Sequence, residues 1–226
     1  MSSQPNALFG IAAMPIAHYI YIARKTIRLK HLLAIVPALV GLLLLIDSLW
    51  IYSKAIVAQL LIEDAWQITL VSGEVVKPWP WADTWPVARL QYEAGDIDLY
   101  VLNGAQGSSL AFGPAYLMAS STPGSDGLSI ISGHNDTHFR FIQHLQPGDI
   151  LQITAADNRI SRYQVTSLSV VDSQSQPLQV NTDINALMLI TCYPFGAIQA
   201  GGNLRYLVVA ERVSDGMNVS KQWLEA

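Results

Sequence analysis

An apolar run near the N-terminus constrains the fold of this 226-residue chain more than any other feature. Residues 32–46, which read LLAIVPALVGLLLLI, contain no charged or strongly polar side chain, and after a short interruption the run resumes to residue 52. Residues 31–52 are long enough to cross a hydrocarbon core of about 30 Å, which needs about 20 helical residues. The sequence therefore predicts a transmembrane anchor over 31–52, with Trp50 and Tyr52 at a membrane interface.

Charge is distributed unevenly about this predicted anchor. Residues 1–54 carry a balance of +4, whereas residues 55–226 carry a balance of −8. Because basic residues flanking a membrane span stay inside, we expect a single-pass protein of the inner membrane whose basic segment 1–30 is cytoplasmic. Everything after about residue 52 is then expected on the periplasmic, extracytoplasmic side. No Lys/Arg-rich stripe follows residue 30, so nucleic acid is not an expected partner.

Two further features of the N-terminal region bear on this prediction. The apolar stretch 7–23 is a candidate for a second, weak membrane segment or an interfacial one. A cleaved signal peptide is the competing interpretation of the charge pattern. Its apolar region would be unusually long, however, and no small-residue cleavage site follows closely.

The segment 53–86 joins the predicted anchor to the rest of the chain. Apolar residues recur at helical spacing over 53–66, which predicts a helix leading away from the membrane. The following stretch 76–86 holds three prolines and three tryptophans, which exclude a regular helix and favour an extended conformation. We interpret it as a strap whose indoles cover a hydrophobic groove; a peptide- or membrane-docking surface is the other interpretation.

From residue 87 onward, short β-rich runs alternate with turn signals such as Asn103-Gly104 and Pro147-Gly148. One helix is expected over 137–145, with Phe139, Ile142 and Leu145 facing inward. About eight short strands in about 130 residues predict a small closed or nearly closed β-barrel. The predicted strands are 87–92, 98–102, 109–112, 127–132, 149–154, 161–171, 186–191 and 204–213.

The chain has a single cysteine, Cys192. It follows the apolar run 187–191 and precedes Tyr193-Pro194, so it is expected at a strand end that opens into a loop. A lone thiol in an exported domain is exposed to oxidation and to pairing with other chains. Cys192 therefore has two candidate roles: an inert residue that is buried, or a reactive nucleophile. Mouths of small barrels bind ligands, which makes the second role as good a candidate as the first on position alone.

A nucleophilic thiol needs a base or cation beside it, and its tetrahedral intermediate needs a donor for the oxyanion. His134 follows the apolar run 127–133 and is therefore also expected just past a strand. Arg205 opens the last predicted strand. If the strands 186–191 and 204–213 form an antiparallel hairpin, Arg205 lies beside Cys192 and offers a permanently charged donor.

A zinc protease is an alternative function for the same region. His134, His138 and His144 have the spacing of metzincin zinc ligands. However, the position after the first histidine is Asn135 rather than the general-base glutamate, and Phe141 stands where the turn glycine is needed. We therefore expect no metal and no other cofactor.

Three segments together resemble sortases, the membrane-anchored cysteine transpeptidases: 132–139 (SGHNDTHF), 189–192 (LITC) and the strand that begins at 204 (LRYL). The order of His134, Cys192 and Arg205 matches that family. The strap over 78–86 and the segment around His134 are most similar to the Gram-negative class, class GN. Two positions differ: Met188 replaces the first threonine of T-L-x-T-C, and Asn135 follows the histidine where arginine is common.

The resemblance implies an eight-stranded sortase β-barrel over 87–213 with one or two short helices, followed by a C-terminal tail over 214–226. It implies that Cys192 attacks a backbone carbonyl in a C-terminal, commonly LPXTG-like, sorting signal of a secreted protein. His134 would exchange protons with the departing and incoming groups, and Arg205 would stabilise the oxyanion or position the peptide. An amine or water would resolve the thioester.

The flanking residues Thr191 and Tyr193 are expected to contact substrate. A non-enzymatic alternative is an anchored β-domain that binds a partner protein through its tryptophan strap. In that alternative, Cys192 is buried and idle.

Overall fold

The N-terminal part of the described chain is one long helix. The computed structural model describes residues 16–175, 184–197 and 202–213, and helix α1 spans Ile16–Ser72. Within it, Ile35–Ser72 is the one helix of the described residues that is long and apolar enough to cross a membrane. The helices predicted over 31–52 and 53–66 are therefore a single element, because neither glycine nor proline interrupts 53–72.

Helix α1 ends at a glycine. Gly73 adopts a positive φ of 71°, and its N–H donates to the carbonyl of Thr69 at 2.9 Å. A left-handed residue of this kind closes many helices, and glycine takes that conformation without steric cost. The first part of the apolar stretch 7–23 and the whole of the tail 214–226 lie outside the described residues.

The chain divides into two units, Met1–Lys54 and Ala55–Ala226. In the second unit, one face of α1 is buried, with Ala58, Ile62, Ala65 and Trp66 at helical spacing. Ile62 belongs to a cluster with two residues of the barrel region, Leu102 and Ala115. The last part of α1 is thus packed as a component of the globular unit.

The Pro/Trp segment after α1 forms no regular helix, as predicted from its composition. Trp79 packs against the cluster of Ile62, Leu102 and Ala115 and meets Phe112 edge-on, with ring centroids 5.1 Å apart. Trp81, by contrast, is 83% exposed. The prediction that the indoles of this segment cover a hydrophobic groove therefore holds for Trp79 and is wrong for Trp81.

Eight strands close into a barrel, as the sequence predicted, and the structure gives their order as β1-β2-β3-β4-β7-β8-β6-β5. Its interior is filled by side chains that alternate inward along the strands, which is the expected pattern for a small barrel. The strands are β1 (Pro86–Tyr92), β2 (Ile97–Asn103), β3 (Ala115–Tyr116), β4 (Leu128–Ser132), β5 (Ile150–Ala155), β6 (Ile160–Asp172), β7 (Ala186–Cys192) and β8 (Leu204–Arg212).

The strand predicted over 109–112 is wrong. The first two residues of this range instead belong to a short helix, α2 (Gly107–Leu110). The hydroxyl of Ser109 donates to the carbonyl of Asn103 at 3.3 Å. Serine side chains compete for backbone groups in this way and favour turns over strands. The strand that closes the barrel at this point is instead the two-residue β3, which pairs with β2 and β4.

The helix predicted over 137–145 is present but shorter. The segment consists of turns followed by a 3-10 helix over Arg140–His144, and a second 3-10 helix spans Glu93–Gly95. The expected inward residues Phe139, Ile142 and Leu145 are nonetheless all buried. Their spacing of three suits the 3-10 helix, whose turn holds three residues.

Candidate active site

Cys192 and Arg205 lie directly opposite each other. They are Cα partners in the antiparallel pairing of β7 with β8, and the backbone ladder continues to a bond from the N–H of Tyr193 to the carbonyl of Leu204 at 3.0 Å. Cross-strand partners project to the same face of a sheet. Cys192 is exposed, whereas the preceding Thr191 is only 2% exposed. The thiol and the guanidinium therefore share one outward face at the end of β7.

His134 lies just past the end of β4, the strand on the other side of β7. These two strands pair in parallel, with Ser132 opposite Ile190. The carboxyl ends of parallel neighbours meet at the same edge, so Cys192, the last residue of β7, and His134, two residues past β4, lie at this edge. The His134 side chain is exposed. The structure thus brings all three residues, predicted from separate parts of the sequence, to one edge of the barrel.

Hydrogen bonds hold the backbone around His134 against β7. The N–H of Gly133 donates to the carbonyl of Ile190 at 3.2 Å, and the buried hydroxyl of Thr191 donates to the carbonyl of Gly133 at 2.6 Å. The carbonyl of His134 accepts from the N–H of Phe139 at 2.9 Å. Thr191 therefore supports the histidine segment, while its substrate contact stays a prediction.

The guanidinium of Arg205 is oriented by its own loop. Its Nη1 donates to the carbonyls of Gly202 at 2.6 Å and Leu204 at 2.9 Å. A guanidinium carries five N–H donors in a rigid fork, and among the described residues both bonds come from Nη1, so the fork has further N–H groups that could donate to a ligand oxygen. The arrangement suits an oxyanion or a peptide carbonyl beside the Cys192 sulfur.

Three aromatic rings gather beside this pair. Tyr193 stacks on Tyr206 with centroids 6.2 Å apart, and Phe195 meets Tyr206 edge-on at 5.3 Å. Burial, and then the proximity of Tyr193, raise the pKa of Tyr206. Tyr193 thus follows Cys192 in the chain and packs on Tyr206, and its contact with substrate stays a prediction.

The zinc alternative finds no ligand set in the described part of the chain, where no group of three His, Cys, Asp or Glu side chains is placed to hold a metal. His138 is half-buried behind His134, and His144 is exposed at the end of the 3-10 helix. The metzincin-like spacing therefore does not correspond to three converging imidazoles.

Comparison with known proteins identifies the fold and the family together. The model of the sortase domain matches residues 90–213, which is more than half of the chain and includes all three predicted site residues. The chain belongs to the sortase family. Sortases are cysteine transpeptidases, so the exposed thiol at the end of β7 stands in a domain whose family uses a cysteine for acyl transfer.

Individual sortases are similar over part of their length. Sortase D of Bacillus subtilis is 28% identical over 122 residues, which are 53% of this chain and 60% of that protein. The structure of sortase A from Corynebacterium diphtheriae is 26% identical with a TM-score of 0.50, covering 61% of this chain and 65% of that one. The Clostridium perfringens sortase D5 transpeptidase shares the fold, with 21% identity, a TM-score of 0.56 and coverage of 70% and 99%.

One contact at this edge was not anticipated from the sequence. The side-chain amide of Asn135 donates to the carbonyl of Pro194 at 3.0 Å, which joins the histidine loop to the cysteine loop. In the sequence, Asn135 stood out only as a departure from two motifs, the metzincin glutamate and the arginine common in class GN. Two loops 59 positions apart meet only through strand pairing, so no local signal predicts the bond.

The half-buried His138 makes the stability of the sortase domain sensitive to acid. Burial, and then the proximity of His134, lower the pKa of His138, while Asp136 acts in the opposite sense. A histidine whose folded pKa lies below its unfolded value of about 6.5 contributes stability above that pH and loses it as the pH falls. We expect the thermal midpoint to fall on acidification below about pH 6.5, and His138→Gln to reduce this dependence.

The matched control is His144→Gln, which changes an exposed imidazole of the same segment. Thermal unfolding monitored by circular dichroism across the same pH range should give the wild-type dependence for this variant. An unaltered pH dependence in His138→Gln would contradict the assignment of the effect to His138.

Gly133 has no room for a side chain. A Cβ at this position would lie 2.8 Å from Cγ of Phe139, which is fully buried. We expect Gly133→Ala to destabilise the domain by about 1–3 kcal/mol, as overpacking typically does, and to displace the adjacent His134. Gly107→Ala, where nothing lies within 4 Å, should leave the unfolding midpoint nearly unchanged. Equal midpoints for the two variants would show that the contact is not restrictive.

Proposed function

We propose that this chain is a membrane-anchored cysteine transpeptidase that cleaves the C-terminal sorting signal of a secreted protein. The observation that carries the proposal is the direct opposition of the exposed Cys192 and Arg205, with His134 on the neighbouring parallel strand end. A nucleophile, a proton carrier and an oxyanion donor within one small region are the components that acyl transfer requires.

In the proposed reaction, the Cys192 thiolate attacks the scissile backbone carbonyl, and a tetrahedral intermediate forms. Its oxyanion is stabilised by the guanidinium of Arg205, which also helps to position the peptide. Collapse of the intermediate breaks the C–N bond, and His134 gives a proton to the departing amine. The C-terminal fragment leaves as this amine, and the product is a thioester between Cys192 and the new terminal carbonyl of the target's N-terminal part.

The second half of the reaction releases the target from the enzyme. His134, now neutral, takes a proton from an incoming amine as that amine attacks the thioester carbonyl. The C–S bond breaks, the thiolate of Cys192 is restored, and an amide forms. Water in place of the amine gives hydrolysis. Thr191 and Tyr193 flank the thiol and are proposed to contact the peptide.

We further propose that the transpeptidase domain is on the periplasmic side of the inner membrane, with the N-terminus in the cytoplasm. The basic residues that precede the apolar run and the long apolar helix support this orientation. The strap over 78–86 and the segment around His134 support assignment to class GN. Cysteine accessibility tests the orientation, because the chain's one thiol should react with a membrane-impermeant maleimide added outside the inner membrane.

The experiment that tests the activity is capture of a target on Cys192. The full-length enzyme is expressed together with the secreted proteins of the cell it comes from. Proteins that are linked to it through a thioester are then isolated, and the new C-terminus of each bound protein is sequenced. We expect one or very few targets, each cleaved within a C-terminal sorting signal. Bound proteins attached through any other residue, or with intact C-termini, would contradict the proposal.

A further inference from the structure

The segments that follow β4 and β7 extend beyond the barrel's backbone ladder, and the first of them carries His134. Strand β4 ends at Ser132 and β7 ends at Cys192. On the near side of His134, Gly133 is fixed to β7 by its own N–H and by the hydroxyl of Thr191. Past these points, no strand pairing determines how closely the two loops approach each other.

Asn135 supplies a connection beyond the ladder. Its Nδ2 donates to the carbonyl of Pro194 at 3.0 Å, and within the described residues this is the side-chain hydrogen bond that joins 134–139 to 192–197. Asn135 directly follows His134, and Pro194 lies two residues after Cys192. His134 is therefore held on both sides, through Gly133 and through Asn135, to the segment that bears the thiol.

The chemistry of the bond suits a positioning role. An amide donates without a charge, so it joins the loops without adding an electrostatic effect of its own to the thiol and the imidazole. Displacement of a catalytic group by about 1 Å is enough to cost about 100-fold in rate. A single bond that sets the separation of two loops is therefore expected to matter more for the His134–Cys192 pair than for the stability of the domain.

We propose that Asn135 is a positioning residue that holds the imidazole of His134 in register with the thiol of Cys192 by bonding the carbonyl of Pro194. This inference rests on the proposed function, since it assigns Asn135 a role only through the catalytic pair. It also explains how this chain accommodates asparagine at the position after the histidine.

The test measures alkylation of Cys192 by iodoacetamide in the full-length, detergent-solubilised protein. The chain has one cysteine, so the mass gain reports that thiol alone. Rates are measured between about pH 5 and pH 10, which spans the ordinary pKa values of histidine and cysteine. The difference between wild type and His134→Ala defines how the imidazole changes the pH profile of the thiol.

We expect Asn135→Leu, which is similar in shape but has no donor, to move the pH profile at least halfway from wild type toward His134→Ala. In the His134→Ala background, the same substitution should add nothing, because Asn135 acts through His134. If leucine at this position prevents folding, Asn135→Ala replaces it with a smaller side chain. We expect the same shift of the pH profile and the same absence of any added effect in the His134→Ala background.

Gln143→Leu is the matched control. It removes another amide-to-carbonyl bond of the same segment, from Nε2 of Gln143 to the carbonyl of Arg140 at 2.9 Å, which does not reach the cysteine loop. Its profile should coincide with wild type.

Two outcomes would overturn the inference on Asn135 alone: a wild-type profile for both Asn135 variants, or an equal shift with and without His134. Coincident profiles of wild type and His134→Ala would overturn the catalytic pair as well. The failure of the positioning role is thus distinguishable from the failure of the proposed function.

Discussion

Replacing Cys192 with alanine is expected to abolish covalent capture of the target and to lower transpeptidation by about 10⁴-fold or more, because no other group can form the acyl-enzyme. The chain contains one cysteine, so no second thiol is available to substitute for it. The fold should be unaffected, since the thiol is exposed at a strand end and its removal leaves no cavity in the core. Capture is measured by mass spectrometry of the membrane fraction, and the fold by the thermal midpoint.

Cys192→Ser is the companion variant, because it keeps the size of the side chain while replacing the thiol by a much weaker nucleophile. It should lose capture as fully as the alanine variant. A non-catalytic binding domain predicts a different result, in which the partner is still retained by both variants. Persistence of a covalent complex in the alanine variant would exclude Cys192 as the nucleophile.

Removal of the Arg205 guanidinium should produce the second large effect. We expect Arg205→Met to lower kcat by about 100-fold, the loss typical of one oxyanion donor, with a smaller change in KM. Arg205→Lys should recover only part of the rate, since an ammonium keeps the charge but lacks the planar fork. Stability should change little, because the recorded bonds of Arg205 go to carbonyls of its own loop. The measurement is turnover of a peptide carrying the captured target's sorting signal.

The opposite end of β8 offers a matched control in Arg212. Its guanidinium is bonded to the carbonyl of Ser125 at 2.8 Å and to the hydroxyl of Tyr163 at 3.0 Å, and it pairs with Asp126. Arg212→Met should therefore destabilise the domain by about 2 kcal/mol, from the loss of several charge-assisted bonds, with normal turnover of the folded fraction. If Arg205→Met instead lowers the thermal midpoint as Arg212→Met does and leaves kcat unchanged, the guanidinium of Arg205 serves structure rather than catalysis.

Much of the barrel was predictable because its signals are local. Short β-rich runs indicated seven of the eight strands, and turn residues such as Asn103-Gly104 separated them. The exceptions are instructive. Residues 109–112 have strand-like composition but contain a serine that bonds the backbone of Asn103, while β3 is too short at two residues to show any periodicity. The helix predicted over 137–145 is a shorter 3-10 helix, Arg140–His144, because apolar residues three apart indicate a helix without fixing where it begins.

In the candidate site too, the part that depends on adjacent strands was predictable and the part that depends on distant strands was not. The opposition of Cys192 and Arg205 followed from the sequence, because two adjacent strands in one hairpin place the end of the first beside the start of the second. The position of His134 needed the tertiary structure. Strands β4 and β7 pair in parallel although more than 50 residues separate them, and parallel pairing leaves no turn signature between its partners.

The sequence by itself determined which reactive side chains this protein has: one thiol, a histidine and an arginine at predicted strand ends. It also determined that an apolar segment long enough to span a membrane precedes them. The tertiary structure alone decided how those groups are held, through Thr191 beneath Gly133 and Asn135 against Pro194. The physical reason is the range of the interactions. Residue type and periodicity act over a few positions, whereas a hydrogen bond between loops 59 positions apart exists only after the barrel has closed.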